Sequence, residues 1–263
     1  MKFKFLCVIP LLLLSFGALV AQQKHYTRED YLLVIKYSTQ KLLEDSLKNE
    51  EYFKSRAEAH YAVEDFKNAL KDFNSYLRLN PKDSYTYYNR GILKNDIGSF
   101  DGAIQDFSAA IKYSSANPSD FYFARGSVNQ SLKHYAKAIS DYNIALKHSP
   151  DNKDALNNLG LLFIEKKDFQ AAVPWFDKAL KLNSDLVNSL FNRAYALIEL
   201  GRGKEALADL EHALAISPDN PYANNYMGYY FYVQNEKQEA CRYFKIAAAN
   251  GASPIISDKT YCE

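Results

Sequence analysis

The sequence has little of what irregular or all-β folds are built from. Its 263 residues include only ten Gly and eight Pro, which argues against a loop-rich sheet protein. It also lacks a charge excess. Lys plus Arg is 32 and Asp plus Glu is 31, so no global field gathers nucleic acid or an anionic membrane. His25, His60, His134, His148 and His212 lie far apart, with no HExxH or HxxxH pair. A Gly-rich phosphate loop and a GxSxG elbow are missing too. These absences point to a non-enzymatic chain with no metal and no cofactor. What remains is nearly half apolar and about a quarter charged, the composition of a folding sequence.

The first residues, "MKFKFLCVIPLLLLSFGALVAQQ", stand apart. Lys2 and Lys4 precede an apolar run from Phe5 to about Ala21. That is the layout of a secretory signal peptide, read here as residues 1–21. The cut is expected after Ala21, although Leu19 is bulky for its place. An uncleaved anchor is the alternative; the run is short for a full span. Cleavage leaves no membrane span and a secreted or periplasmic chain with a slight acidic excess. It also removes Cys7, leaving Cys241 and Cys262, an even number in a disulfide-permissive compartment. A structural disulfide pinning the tail is preferred over two free thiols, and a zinc site has too few ligands.

Further on, the chain repeats. Ala57, Gly91, Gly126, Gly160, Ala194 and Gly228 recur at spacings of 34, 35, 34, 34 and 34 residues. Twelve residues after each comes Ala69, Ala103, Ala138, Ala172, Ala206 or Ala240, and four further a ring or Leu, from Phe73 to Phe244. A fixed period of this size marks a solenoid, and spacings of three and four within each unit are helical. Each unit therefore reads as two antiparallel helices. Small residues at positions 8 and 20 let them approach, and the ring at position 24 fills the space beside them.

This pattern resembles the tetratricopeptide repeat family, which carries Gly or Ala at 8, Ala at 20, an aromatic at 24, Ala at 27 and Pro at 32. The resemblance implies an all-α, right-handed solenoid of six units: 50–83, 84–118, 119–152, 153–186, 187–220 and 221–254. Residues 22–49 supply a capping helix, with Thr27 and Asp30 spaced for a capping box. Asn117 and Asn220, each followed by Pro, suit helix starts. Residues 255–263 form a tail with room for one weak helix. Pro174, near the start of a second helix, is expected to cost little.

Position 7 is Arg in four units: Arg56, Arg90, Arg125 and Arg193. Position 23 is Asp in those same units: Asp72, Asp106, Asp141 and Asp209. In the other two the pair is Leu159 with Trp175, and Met227 with Tyr243. The co-switching predicts an ion pair within each of the four units, because an unpaired Arg facing the second helix is costly. The alternative is a row of Arg gripping phosphates.

The family is a scaffold for many partners, so the resemblance implies protein or peptide binding. The family's concave wall uses positions 2, 5, 9 and 12 of each first helix, with 6 and 13 beside them. Here these carry seven acidic residues against a single basic one, Lys54. They also carry many rings, among them Tyr85, Tyr88, Phe123, Phe191, Tyr195 and Tyr229. Asn89, Asn158 and Asn192 fall at position 6, where some members hold a peptide. Those members add Lys or Arg to clamp a terminal carboxylate; this wall lacks them, so that clamp is not carried over. The expected partner is an extended segment bearing Lys or Arg. Phe123, Asp154, Asn158, Phe191 and Tyr195 are expected at the centre, with Tyr229 extending it. The alternative is that the rings pack between adjacent repeats. A chaperone-like assembly factor for envelope proteins competes with the scaffold reading, and an enzyme ranks third. The sequence fixes no oligomeric state.

Overall fold

The computed structural model describes residues 26–45, 50–253, 255–256 and 261–262. The signal-peptide reading of 1–21 lies outside the described residues. Among the described residues there are thirteen α-helices and no strand. The fold class is an all-α solenoid of helix–turn–helix units. The chain divides into two compact units, Met1–Asn129 and Gln130–Glu263.

The first unit holds α1 (Arg28–Glu44), the pair α2 (Glu51–Ala62) and α3 (Phe66–Leu79), and the pair α4 (Ser84–Asp96) and α5 (Phe100–Tyr113). Helix α6 (Ser119–Ser131) straddles the division. Thr27 and Asp30 form the capping box of α1, with Asp30 N–H donating to Thr27 Oγ1 at 3.2 Å. α1 lies on α2. Tyr37 meets Tyr52 edge-on at 5.7 Å, and Arg56 donates to the Thr39 hydroxyl at 3.0 Å. Asn117 opens α6 by accepting from Ser119 N–H.

The second unit holds α7 (Tyr135–His148), then three pairs: α8 (Lys153–Glu165) with α9 (Phe169–Leu182), α10 (Val187–Glu199) with α11 (Gly203–Ile216), and α12 (Pro221–Val233) with α13 (Lys237–Ala249). Asn220 caps α12 by accepting from the Tyr222 and Ala223 amides, with Pro221 in the first turn.

The close approach expected at position 8 is present. A methyl added at Gly160 would stand 2.5 Å from the Phe176 ring. At Gly91 it would stand 2.7 Å from Phe107, and at Gly228 2.6 Å from Phe244. Those rings are almost fully buried. Each ring thus packs closely against the backbone of the partner helix, leaving no room for a side chain there.

The turn inside each pair has one fixed shape. Position 15 is left-handed in all six units: Glu64 (φ 66°), Gly98 (77°), Lys133 (58°), Lys167 (59°), Gly201 (72°) and Asn235 (61°). The next amide then closes back five residues, as in Asp65 N–H to His60 O at 2.8 Å and Asp168 N–H to Phe163 O at 2.8 Å. This is a left-handed helix stop of the kind glycine usually occupies. Only two of the six positions use it.

One expectation needs correction. Pro174 is the sixth residue of α9, beyond the four amides that lack partners. The Gln170 carbonyl therefore loses a helical donor, and the helix runs on through it. The weak helix expected within 255–263 lies largely outside the described residues. Gly251 (φ 90°) follows α13, and beyond it Ser253 and Ile255 meet Asn225 of α12.

Candidate functional site

The ion pairs come first, because they decide which charges are free. Arg56 Nε and Nη2 meet the two oxygens of Asp72 at 2.7 and 2.8 Å. Arg90 meets Asp106 at 2.8 and 2.6 Å, and Arg193 meets Asp209 at 2.8 and 2.6 Å. These three pairs lie within single units, and their carboxylates are buried. Two-point contact of this kind is the strongest form of Arg–carboxylate recognition. Arg125 and Asp141 share the repeat 119–152, but the first lies in the compact unit that ends at Asn129 and the second in the one that begins at Gln130.

The sequence did not reveal a second use of the same Arg. The remaining nitrogen, Nη1, reaches back to the element before: Arg56 to Thr39, Arg90 to Asn74, Arg125 to Ser108 and Arg193 to Asp177. Asn74, Ser108 and Asp177 all stand at position 25. Arg56 therefore ties to the capping helix α1 and the other three to the preceding second helix, while Arg56, Arg90 and Arg193 also hold the Asp of their own repeat. In those three every guanidinium nitrogen already has a partner within the fold, and each charge is matched by a carboxylate. The Asp209 contacts hold Arg193 more firmly charged than usual, against the opposing effect of burial.

In the first unit, the wall positions form bonds between successive first helices. Asn89 donates to Glu58 at 3.2 Å, and the Tyr61 hydroxyl donates to Asp96. Tyr76 O–H lies between Glu51 at 2.9 Å and Asp83 at 3.0 Å, and Lys54 pairs with Asp83 at 3.2 Å. Burial, and then these carboxylates, push the Tyr61 and Tyr76 hydroxyls well above the usual phenol range. Burial works against the charge of Asp83, but the Thr86 amide and Lys54 outweigh it and hold its carboxyl low. Tyr88 packs on Phe121 at 5.1 Å, with Tyr85 edge-on to the same ring at 5.4 Å. Tyr85 is exposed, whereas Phe123 is buried. Phe121, which the wall positions do not include, is what these two tyrosines rest on.

In the second unit, the rings of α10 and α12 form a ladder. Phe191 lies 5.9 Å from Tyr222 and 5.8 Å from Tyr226. Tyr195 stacks on Tyr226 at 5.0 Å and meets Tyr229 at 5.8 Å; Tyr229 stacks on Tyr232 at 6.1 Å. Phe191 is only 6% exposed, but Tyr222 is 59% and Tyr232 37% exposed. The open rings are therefore at the ends of the ladder, and buried Phe191 packs against Tyr222 at one of them. Burial pushes the Tyr226 hydroxyl up to about 12, helped by its tyrosine neighbours. Tyr229 donates to Glu199 at 2.5 Å, and burial followed by that carboxylate raises it too.

The asparagines divide differently from expectation. Asn192 is buried and donates to Asn157 at 3.3 Å, as does Ser189 at 3.2 Å. Asn158 donates to the Tyr142 hydroxyl at 3.4 Å, which donates to Gln130; Gln130 in turn donates to Glu165 at 2.8 Å. Asn157, at position 5, is the residue that joins two first helices. Asp154 stays exposed.

The tail closes this unit. The Asn225 amide donates to Ser253 O at 2.7 Å and accepts from Ile255 N–H at 3.1 Å. The Cys241 and Cys262 sulfurs lie at bonding distance, with Cα atoms 5.4 Å apart. Tyr261 meets Tyr232 edge-on at 4.9 Å. Among the described residues no group of three or more His, Cys, Asp or Glu is placed to hold a metal ion.

The tetratricopeptide repeat family model matches residues 55–121, 123–186 and 187–220. The chain belongs to the tetratricopeptide repeat family, whose fold serves as a protein-interaction module. It is 31% identical over 98 residues to anaphase-promoting complex subunit 3 of Schizosaccharomyces pombe, covering 37% of this chain. It is 25% identical over 181 residues to the human protein O-mannosyl-transferase TMTC3, covering 68% of this chain. The match spans 15% and 16% of the length of those two relatives. Among solved structures it is similar to the C-terminal part of a tetratricopeptide repeat protein from Cytophaga hutchinsonii. That likeness has a TM-score of 0.68 at 20% identity, covering 88% of this chain and 93% of that one.

Proposed function

We propose that the chain is a non-enzymatic scaffold whose second unit holds an extended segment of another protein, bearing Lys or Arg, against the ladder of α10 and α12. The observation that carries this reading is the ladder itself. Exposed Tyr222 and Tyr232 flank packed rings, and Glu199 stands beside Tyr229. Rings pre-ordered by stacking lose little freedom on binding. A tyrosine face attracts a cation, and a carboxylate next to it adds charge complementarity. The first unit offers the same chemistry on a smaller scale at Tyr85 and Tyr88. The leader-like 1–21 supports work in the periplasm or outside the cell.

The test is fluorescence anisotropy with two labelled extended peptides, one bearing Arg at every third residue and the other Glu at those places. Saturable binding of the Arg peptide, weakened roughly tenfold by Tyr195→Ala with Tyr226→Ala at unchanged helical content, is the expected result. Tighter binding of the Glu peptide overturns the reading. Fractionation of cells producing the full chain tests the location.

A further inference from the structure

The repeat register locates the tail. Position 5 of α8 is Asn157, which accepts from positions 3 and 6 of the next first helix, Ser189 and Asn192. Position 5 of α12 is Asn225, and no further helix follows α13 among the described residues. Its amide meets the tail main chain instead, at Ser253 O and Ile255 N–H. Ser253 and Ile255 thus take contacts that the first helix of a seventh unit would make.

What it adds there is one ring. Tyr261 stands 4.9 Å from Tyr232, so the sequence of rings runs Tyr226, Tyr195, Tyr229, Tyr232, Tyr261 at 5.0, 5.8, 6.1 and 4.9 Å. Its neighbour Cys262 is tied back to Cys241 on α13. The face of Tyr261 already holds a cation, with Lys237 Nζ 5.5 Å from the ring centre.

We propose that the tail is a working part of the binding face, and that Tyr261 receives a basic side chain of the bound segment, which displaces Lys237. This rests on the reading of the ladder given above. The ring is continuous with that ladder, and it is pre-positioned from both sides, by Asn225 and by Cys262. Lys237 is an internal stand-in for the arriving cation. An arginine is the fitting replacement, because its flat guanidinium is less strongly hydrated than an ammonium and stacks on aromatic faces.

A tail that merely sealed the end of the sixth repeat would behave differently, and the Arg peptide separates the two. Tyr261→Ala, with Cys241 and Cys262 left intact, is expected to weaken its binding roughly fivefold at unchanged helical content, whereas Tyr261→Phe retains it. Cys262→Ser is expected to give a similar loss. Lys237→Ala is expected to tighten binding by roughly twofold to threefold, since the competing cation is gone. A sealing role would not move that last measurement. If Tyr261→Ala and Lys237→Ala both bind the peptide as the unaltered chain does, the proposal falls and the ladder reading stands. If the unaltered chain does not bind it, the ladder reading fails first and takes this one with it.

Discussion

Arg193 and Asp209 meet through two parallel contacts of 2.8 and 2.6 Å, while the same guanidinium reaches back to Asp177 at 2.7 Å. Removing one partner leaves the other charge buried. Asp209→Ala is therefore expected to destabilise by about 2–4 kcal/mol. The fourth unit suggests a remedy, because it places Leu159 and Trp175 at these positions. Arg193→Leu combined with Asp209→Trp should return to within about 1 kcal/mol of the original, since apolar replacements of buried pairs are often neutral. Urea unfolding of the three variants checks this. A double variant as weak as Asp209→Ala would show that the two kinds of pair are not interchangeable.

Lys133 and Lys167 sit at left-handed positions where Gly98 and Gly201 serve other units. A side chain there costs about 1–2 kcal/mol, partly offset by the extra freedom glycine has when unfolded. Lys133→Gly and Lys167→Gly should each raise stability by about 0.5–1 kcal/mol. Gly201→Lys should lower it by a similar amount. Melting temperatures that move the opposite way would refute the assignment of this corner.

Gly160→Ala is expected to cost about 1–3 kcal/mol, despite alanine's better helix propensity, because Phe176 is fully buried and cannot retreat. Combining it with Phe176→Leu should recover part of the loss. The fifth unit already carries that combination, as Ala194 with Leu210, both buried. Thermal melts of the single and double variants give the comparison.

The raised tyrosines make a pH prediction. Tyr226 is pushed up to about 12, and Tyr195 is also raised, first by burial and then by Glu199. These groups stay protonated in the folded chain after an unfolded one would begin to ionise near pH 10. Their contribution is fully present below about pH 10 and is lost as pH rises towards 12. Absorbance at the phenolate band should lag behind free tyrosine in the native protein. Tyr226→Phe should flatten the fall in melting temperature over that window.

How much of this was legible varies with the distance over which a feature acts. The helix pairs followed from Gly and Ala at positions 8 and 20, and the Arg–Asp contacts from co-switching inside a unit. Both are local, and period alone brings them together. The reach of Arg193 to Asp177 was missed, although position 25 recurs, because its partner changes type from unit to unit: Asn74, Ser108, Asp177. The wall was harder. Its residues were named, but which rings stay open depends on burial, which no spacing records. Phe191 is buried and Tyr232 stayed in view. Asn157, rather than Asn158, joins the helices because one residue's shift turns an amide from one neighbour to another. The contacts of Ser253 and Ile255 with Asn225 were unreadable because they stand in for a helix's contacts without a helix's pattern.

The left-handed corner at position 15 also bears on how such a chain tolerates change. Within the pairs that lie inside one compact unit, the corner and its backward hydrogen bond hold one loop length, so the two helices act as a single casting. Between pairs there is no such constraint, and the one 35-residue unit carries its extra residue there, in the stretch that ends at Asn117 and Pro118. Insertions, tags or grafted epitopes therefore belong at the joints after second helices, where one repeat already accommodates an extra residue. The same material placed between a first helix and its second would break the casting itself.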